Sequence, residues 1–395
     1  MLKQLFKIIW KRKKSNSLIV AEVAIAFIIV FALSLLAIRN YLLYDEPLGF
    51  EYENRWNIRF LSISGSWDEK LDSKQLEQVL FQLRKESEIK NVHLLKNPTF
   101  QNWSSRSDYE LNGRNISFMS NVMDAGAPQD FGIELLEGRW FGEQDNGQSY
   151  EPVIVNRLFV ERFFGSENPI DRNIRDIKSE NKTEQRIVGV FNDFRQQGEL
   201  TELKPYVIYQ YNKVAGMRIH NLEIKLNNGI QLSYEEKLMK VLTNVAPNWE
   251  FSITPWSVKR ERNLNETFLP LLFASIIGLF FILLVALGLF GVLWQNVMSR
   301  TPEIGVRRAL GATAKSIHLQ IISELVIVTL LGLLIGLVLL IQLPISGFIP
   351  EINWALFWPA QILASIFMLL LAVICAYYPG KLATKMLPAD ALHYE

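Results

Sequence analysis

Apolar residues are unevenly spread along the 395-residue chain. They concentrate near the N-terminus and across the last third, with a stretch of ordinary polarity between. A bilayer core of about 30 Å takes roughly 20 residues of helix. Four segments meet that length: 18–39, 267–298, 319–343 and 355–378. The apolar run of the first, Leu18–Ile38, carries only Glu22, and the third carries only Glu324. The second and fourth are uncharged. At about 1.5 Å per residue the second exceeds the bilayer and is expected to project beyond one face. The first is too long for the apolar region of a signal peptide, and no A-x-A site follows within Ser34–Arg39. It reads as an uncleaved anchor.

The intervening segment, 40–266, changes period. Trp56–Ser64 alternates apolar and polar residues like a strand. Asp72 or Ser73 then stands where a cap would start a helix with Leu76, Val79, Leu80 and Leu83 on one face. Val92–Leu95 follows as a strand. The order recurs in Leu222–Leu226, a Ser233-x-x-Glu236 capping box before Leu238, Val241, Leu242 and Val245, and Trp249–Ile253. Two βαβ-like units thus flank a β-rich block, about 125–212, with short strands at Pro152–Val155, Arg186–Phe191 and Tyr206–Tyr209. The fold class expected is an α-helical membrane domain of four transmembrane helices plus a large α+β extracytoplasmic domain with a β-rich insert.

Charge sets the orientation. Lys+Arg number 41 and Asp+Glu 40, so the whole chain has no excess that would suit nucleic acid. The local distribution is uneven. Lys3, Lys7, Lys11, Arg12, Lys13 and Lys14 precede the first span, and Arg300, Arg307, Arg308 and Lys315 lie between the second and third. Lys381 and Lys385 follow the fourth, whereas the loop 344–354 has Glu351 and no base. By the positive-inside rule, residues 1–17, 299–318 and 379–395 are cytoplasmic, and 40–266 lies outside.

Little in the chain supports catalysis. One cysteine, Cys375, excludes an intrachain disulfide or a cysteine cluster, and the four histidines lack H-x-x-x-H spacing. Gly311-Ala-Thr-Ala-Lys315-Ser316 lacks the glycine before lysine and the strand context of a phosphate loop. No nucleophile elbow or H-E-x-x-H occurs, and Glu143, Asp145, Glu235 and Glu236 read as solvated surface acids. Glu22 and Glu324 lie near the cytoplasmic ends of their spans, so salt bridges to the basic loop fit them better than a proton relay. Gly332 and Gly336 place two glycines on one helix face, a spacing that permits close helix approach.

The most specific signal runs from Arg300: Arg-Thr-Pro-Glu-Ile-Gly-Val-Arg-Arg-Ala-Leu-Gly-Ala-Thr313, then Ile317, Gln320, Glu324, Gly332 and Gly336. It resembles the signature of FtsX-like permeases of the MacB type, members of type VII ATP-binding-cassette systems. Pro379-Gly-Lys-Leu-Ala383, Met386 and Pro388 are similar to the family's ending. Gly138–Phe141, Val153–Asn156, Phe163–Ile170 and Val188–Phe194 resemble its external domain. Asp171 departs from the pattern, where the family commonly has glycine.

The resemblance implies a dimeric permease that binds cytoplasmic ATPase subunits, with porter-like and sabre-like lobes outside. Glu303, Ile304, Arg307, Arg308, Leu310 and Gly311 would form the coupling segment seated on the ATPase, the arginines pairing with its acidic residues. Gly332 and Gly336 would pack helices. No catalytic residue, cofactor or metal is expected in this chain, and ATP with Mg would be bound by the ATPase. With 17 residues before the first span, that ATPase is expected as a separate chain. Expected partners are the ATPase, a second permease chain, membrane lipid, and an adaptor with an outer-membrane channel. The expected location is the bacterial inner membrane. Export of periplasmic peptides or small hydrophobic compounds is the leading function. Lipoprotein release and signalling to a cell-wall hydrolase are the alternatives.

Overall fold

Without water, backbone N–H and C=O groups must be satisfied within a segment, so the apolar runs become helices. The computed structural model describes residues 13–62, 69–101, 105–175, 183–211, 219–347, 349 and 352–385. The chain divides into two units, Met1–Leu42 with Leu269–Glu395, and Leu43–Phe268. In chain order the elements are α1 (Lys13–Asp45), β1 (Arg55–Ser62), α2 (Glu69–Leu83), β2 (Ile89–Leu95), β3 (Ser105–Leu111) and β4 (Arg114–Met123). Next come α3 (Ala127–Asp130), β5 (Leu135–Gly138), β6 (Tyr150–Asn156), α4 (Arg157–Phe163), β7 (Glu184–Phe191) and β8 (Tyr206–Gln210). The chain continues with β9 (Asn221–Leu226), α5 (Tyr234–Val245), β10 (Trp249–Pro255), α6 (Trp256–Met298) and α7 (Thr301–Ala309). It ends with α8 (Ala314–Leu340), α9 (Gln342–Ser346) and α10 (Trp354–Lys385).

Among the described residues, four helices are long and apolar enough to cross a membrane. Their shared core holds Val23, Phe27 and Phe31 of α1, Leu289 and Leu293 of α6, Leu325 and Leu333 of α8, and Ala360, Ala364 and Ala376 of α10. The small α10 residues let helices approach closely, which drives helix association where lipid gives no hydrophobic incentive. Leu272, Phe273, Ile276 and Leu287 of α6 face away from this core. Trp294 stacks on Tyr378, and Trp354 on Trp358. Such aromatic pairs near helix ends suit the two membrane–water interfaces. Lys3, Lys7, Lys11, Arg12 and the C-terminal stretch 386–395 lie outside the described residues.

The second unit is built on one ten-stranded sheet, ordered β10-β1-β9-β2-β4-β8-β6-β7-β5 with β3 on β4. The two βαβ-like stretches do not stand apart as flanking units. They interleave, with β1 between β10 and β9, and β9 between β1 and β2, all antiparallel. Leu76, Val79, Leu80 and Leu83 of α2, with Leu238 and Leu242 of α5, share one core with Trp56, Ile58, Phe60, Leu222 and Ile224. The β-rich block starts earlier than residue 125, because the β3–β4 hairpin joins it through the parallel pairing of β4 with β8. Between β2 and β4 the sheet is continued by the single pair Leu95↔Met123.

Three local expectations are corrected. Asp72 and Ser73 do not cap α2, which already runs from Glu69; the buried Asp72 carboxylate instead accepts from the Trp249 indole at 2.9 Å. Ser233 is in the helical region and makes no side-chain cap, while Glu236 pairs with Lys240 one turn on. Asp145 is no solvated acid: it is buried, held bidentately by Arg139 at 2.6 Å, and accepts from Gly142 N at 2.8 Å.

Candidate functional site

The coupling segment folds as α7 because its sequence carries both helix ends. Pro302 occupies the first turn, where a missing N–H costs nothing. Glu303 lies in the first turn and Arg307 and Arg308 in the last, each on the favourable end of the helix dipole. Gly311 has φ +96 in open space, so the backbone angle, and not crowding, calls for glycine. The chain then turns directly into α8, whose cap Thr313 accepts from Ser316 N at 3.2 Å.

Ile304 and Gly305 are the buried side of α7. Ile304 lies in a cleft with Ile19, Leu293, Val297, Ile317 and Ile321. Along its rim runs a polar ladder. Arg307 holds Glu303 at 2.5 Å and donates to Gln320 Oε1 at 3.1 Å. Gln320 donates to Glu324 Oε1 at 3.0 Å, and Glu324 takes Arg300 at 2.5 Å. The Glu303–Arg307 pair is exposed and by itself contributes little. The Arg300–Glu324 side chains are each only 16% exposed, so removing one partner leaves a poorly solvated charge. The ladder therefore fastens α7 to the first turns of α8. On the other side Val306 is 45% and Leu310 83% exposed, four residues apart.

Thus Glu303, Ile304 and Arg307 line one cleft with the α8 residues Gln320 and Glu324, with Arg307 bonded to Gln320, while Leu310 is exposed and Gly311 stands in open space. The Arg307 guanidinium, expected to meet an acidic partner, is engaged within the chain. Arg308 is half-buried. Glu324 does pair with a base of the segment, Arg300, whereas Glu22 lies against Gly288. Gln320 is the member of the ladder that the expected coupling segment did not include. Its signal lies in its four-residue spacing from Glu324, which puts both on one face of α8. Gly332 and Gly336 face α1: a Cβ at Gly332 would stand 2.6 Å from Val23 Cγ1, and one at Gly336 would meet the Phe27 ring.

A second polar cluster lies in the sheet unit. Arg55 is buried against Asp130 at 2.7 Å and sits over the Phe131 and Trp256 rings. His93 lies 2.8 Å from Asp124 and 3.3 Å from Asp130. Burial alone would lower the His93 pKa, but these two carboxylates hold it up at about 9. Burial also works against Asp130 ionising, yet His93 and Arg55 keep its carboxyl below the usual range. Glu223, fully buried, accepts from the Trp256 indole and from Asn57 at 3.0 Å; burial pushes its pKa up, to about 7, against the pull of Lys259. Among the described residues no three or more His, Cys, Asp or Glu side chains are grouped to hold a metal ion.

Two family models match the chain. The MacB-like periplasmic core domain model matches residues 20–239, and the FtsX-like permease C-terminal model matches residues 275–388. The chain is 25% identical over 276 residues to the macrolide export ATP-binding/permease protein MacB of Bdellovibrio bacteriovorus, covering 65% of this chain and 41% of that protein. To MacB of Mannheimia succiniciproducens it is 27% identical over 293 residues, covering 71% and 44%. To the uncharacterized ABC transporter permease YvrN of Bacillus subtilis it is 26% identical over 322 residues, covering 73% and 74%. The chain spans less than half the length of these MacB relatives. Among solved structures, the periplasmic region of MacB from Actinobacillus actinomycetemcomitans aligns at 18% identity and TM-score 0.39, covering 57% of this chain and 98% of that one.

Proposed function

Since this chain belongs to the MacB-like ABC permease family, its match to the periplasmic core model alone taking in more than half of its residues, we propose that it couples ATP hydrolysis by a cytoplasmic ATPase to movement of its sheet unit. The observation that carries this reading is the polar ladder. It holds α7 on α8 through Arg307, Gln320, Glu324 and Arg300, while Val306 and Leu310 stay outward. A helix fixed to a span on one side and apolar on the other is suited to receive a push from a docked partner and pass it on.

In this reading both termini and α7 are cytoplasmic, the sheet unit is extracytoplasmic, and a second permease chain completes a dimer. ATP and Mg belong to the ATPase, and this chain supplies no catalytic group. Glu303 and Arg307 orient α7, Ile304 seats it, Leu310 meets the partner, and Gly311 allows the turn into α8. The uncharged second and fourth spans offer no polar path, so cargo is taken and expelled by the sheet unit. The cargo we propose is a small hydrophobic compound or a peptide, the former in keeping with the relatives named for macrolide export; its delivery would use an adaptor and an outer-membrane channel.

The test is a mild-detergent pull-down of the tagged full chain from its native membrane. Wild type is expected to retain an ABC ATPase and Leu310→Asp to lose it, while Arg300→Gln keeps the ATPase but loses transport. An ATPase absent from wild type, or retained equally by Leu310→Asp, would refute the docking role of α7.

A further inference from the structure

The loop between β7 and β8 holds two chain segments that are remote in sequence. One is the stretch after α1, residues 43–52. Arg195 is buried; its Nη1 donates to Leu43 O at 2.6 Å, its backbone N donates to Leu48 O at 2.8 Å, and its guanidinium pairs with Glu46. Gly49, at φ +79, lies under the same loop, where a Cβ would stand 2.5 Å from Asp193 O. Phe194 meets Phe50 edge-on at 6.2 Å.

The other segment is the beginning of α6. The buried Glu199 carboxylate takes Arg260 through Oε1, while its Oε2 is buried with no hydrogen-bond partner among the described residues. A Cβ at Gly198 would stand 2.8 Å from Asn263 Oδ1. The two segments also touch each other: Arg260 lies over the Tyr52 ring at 4.8 Å, and Phe50 meets Trp256 at 5.8 Å. Arg195 and Glu199 are themselves tied, Arg195 Nη1 donating to Glu199 O at 3.0 Å. Two arginines and two glutamates thus close a chain that runs from one segment, through the loop, to the other.

Such a chain of charge-assisted bonds is stiff, because breaking one link leaves a buried charge without its partner. A connector of ordinary loop would absorb a displacement in its own torsions. We infer that Arg195 and Glu199 are positioning residues that clamp residues 43–52 to the start of α6 and deliver displacement of either into β7 and β8. This deepens the proposed coupling function and rests on it.

The test uses the full chain with its co-purified ATPase in nanodiscs, read by amide hydrogen exchange with ATP and vanadate or without nucleotide. Wild type is expected to change exchange in β7 and β8 on adding nucleotide. Arg195→Ala should abolish that change while still holding the ATPase. Two milder variants separate the links: Glu46→Gln should speed exchange of residues 43–50 about tenfold, and Arg260→Gln that of residues 258–263, with β1 and β9 unaltered. A nucleotide response preserved in Arg195→Ala, or no acceleration in the milder variants, overturns the clamp and leaves the coupling reading standing. No response in wild type overturns both.

Discussion

The Asn156 side chain donates to Asp193 Oδ1 at 2.7 Å, joining the end of β6 to the turn after β7. The same side chain accepts from Phe159 N at 3.1 Å and Tyr206 N at 2.7 Å and donates to Lys204 O at 3.0 Å. It thus caps α4 and pins the start of β8 while fully buried. Asn156→Ala strands several buried groups and should destabilise the protein by roughly 3 kcal/mol or more, at about 1–3 kcal/mol per unsatisfied group. Asp193→Asn keeps an acceptor and weakens only the half-exposed Arg157, so its cost should stay near about 1 kcal/mol or less. Thermal unfolding of the full chain in detergent ranks the two, and a reversed order would refute the assignment.

Close packing of α8 on α1 gives a second prediction. Gly332→Ala places a methyl group against Val23 and the Val20 carbonyl, and Gly336→Ala one against Phe27. Each should lower stability by about 1–3 kcal/mol through overpacking. Gly291→Ala, with nothing near its Cβ position, should be neutral or stabilising by up to about 1 kcal/mol, since alanine favours helix. Unfolding midpoints of the three variants in one detergent make the comparison.

The polar cluster around Arg55 predicts how stability depends on pH. His93 holds its proton to about 9 in the fold, above its ordinary value near 6.5, so its contribution is complete below 6.5 and fades as pH rises to 9. Glu223 is raised from 4.5 to about 7, so the folded chain retains a proton that the unfolded chain has released, and stability also falls between those values. Asp130 acts in the opposite sense, contributing above its ordinary value of 3.8 and losing that contribution only as pH drops below it. Stability measured by denaturant titration should therefore decline from about pH 4.5 to 9. Glu223→Gln should flatten the lower part of that slope, and His93→Gln the upper part.

Asp171 stands in the left-handed region at φ +63, its backbone N donating to Ile187 O at 2.8 Å. This turn is thus made with aspartate where glycine was expected. Left-handed backbone costs an ordinary side chain about 1–2 kcal/mol, and aspartate tolerates it better than most. Asp171→Gly should be neutral or stabilising by less than about 1 kcal/mol, whereas Asp171→Val should lose at least about 1 kcal/mol. Equal stability of the two variants would contradict this.

Features that depend on neighbours in sequence were legible from the chain. Apolar runs gave the four long helices, and alternation gave the strands β1, β9 and β10, because a local period marks extended or helical backbone; only β10 keeps the alternation in its burial, since β1 and β9 are buried on both faces. Asp72 misled because its carboxylate serves Trp249, 177 positions away. Ser233 misled because its own backbone lies in the helical region, where its side chain makes no cap to α5. Pairing of β1 with β9 and β10 is long-range, and no local pattern encodes which strands become neighbours. At the candidate site Glu303 and Arg307 declared themselves by spacing, but Arg300 on Glu324 required the turn at Gly311 to bring α8 back beside α7. Arg195 carried no visible signal, because its partners are mostly backbone carbonyls, to which any residue contributes.

The interleaved sheet also fixes an order of assembly during synthesis. β1 needs partners on both sides, yet Ile58 pairs with Leu222 and with Ile253. Everything from β2 through β8 must therefore leave the ribosome before the first strand can be enclosed. The pairings within β3–β8 are all available earlier, so the later-named half can gain structure while β1 waits. Closing so large a loop adds only logarithmically to the entropic cost, but long-range pairing slows folding. The last strand to arrive, β10, is followed at once by α6. Closure of the sheet and delivery of the second apolar span thus fall at the same moment in the life of the nascent chain.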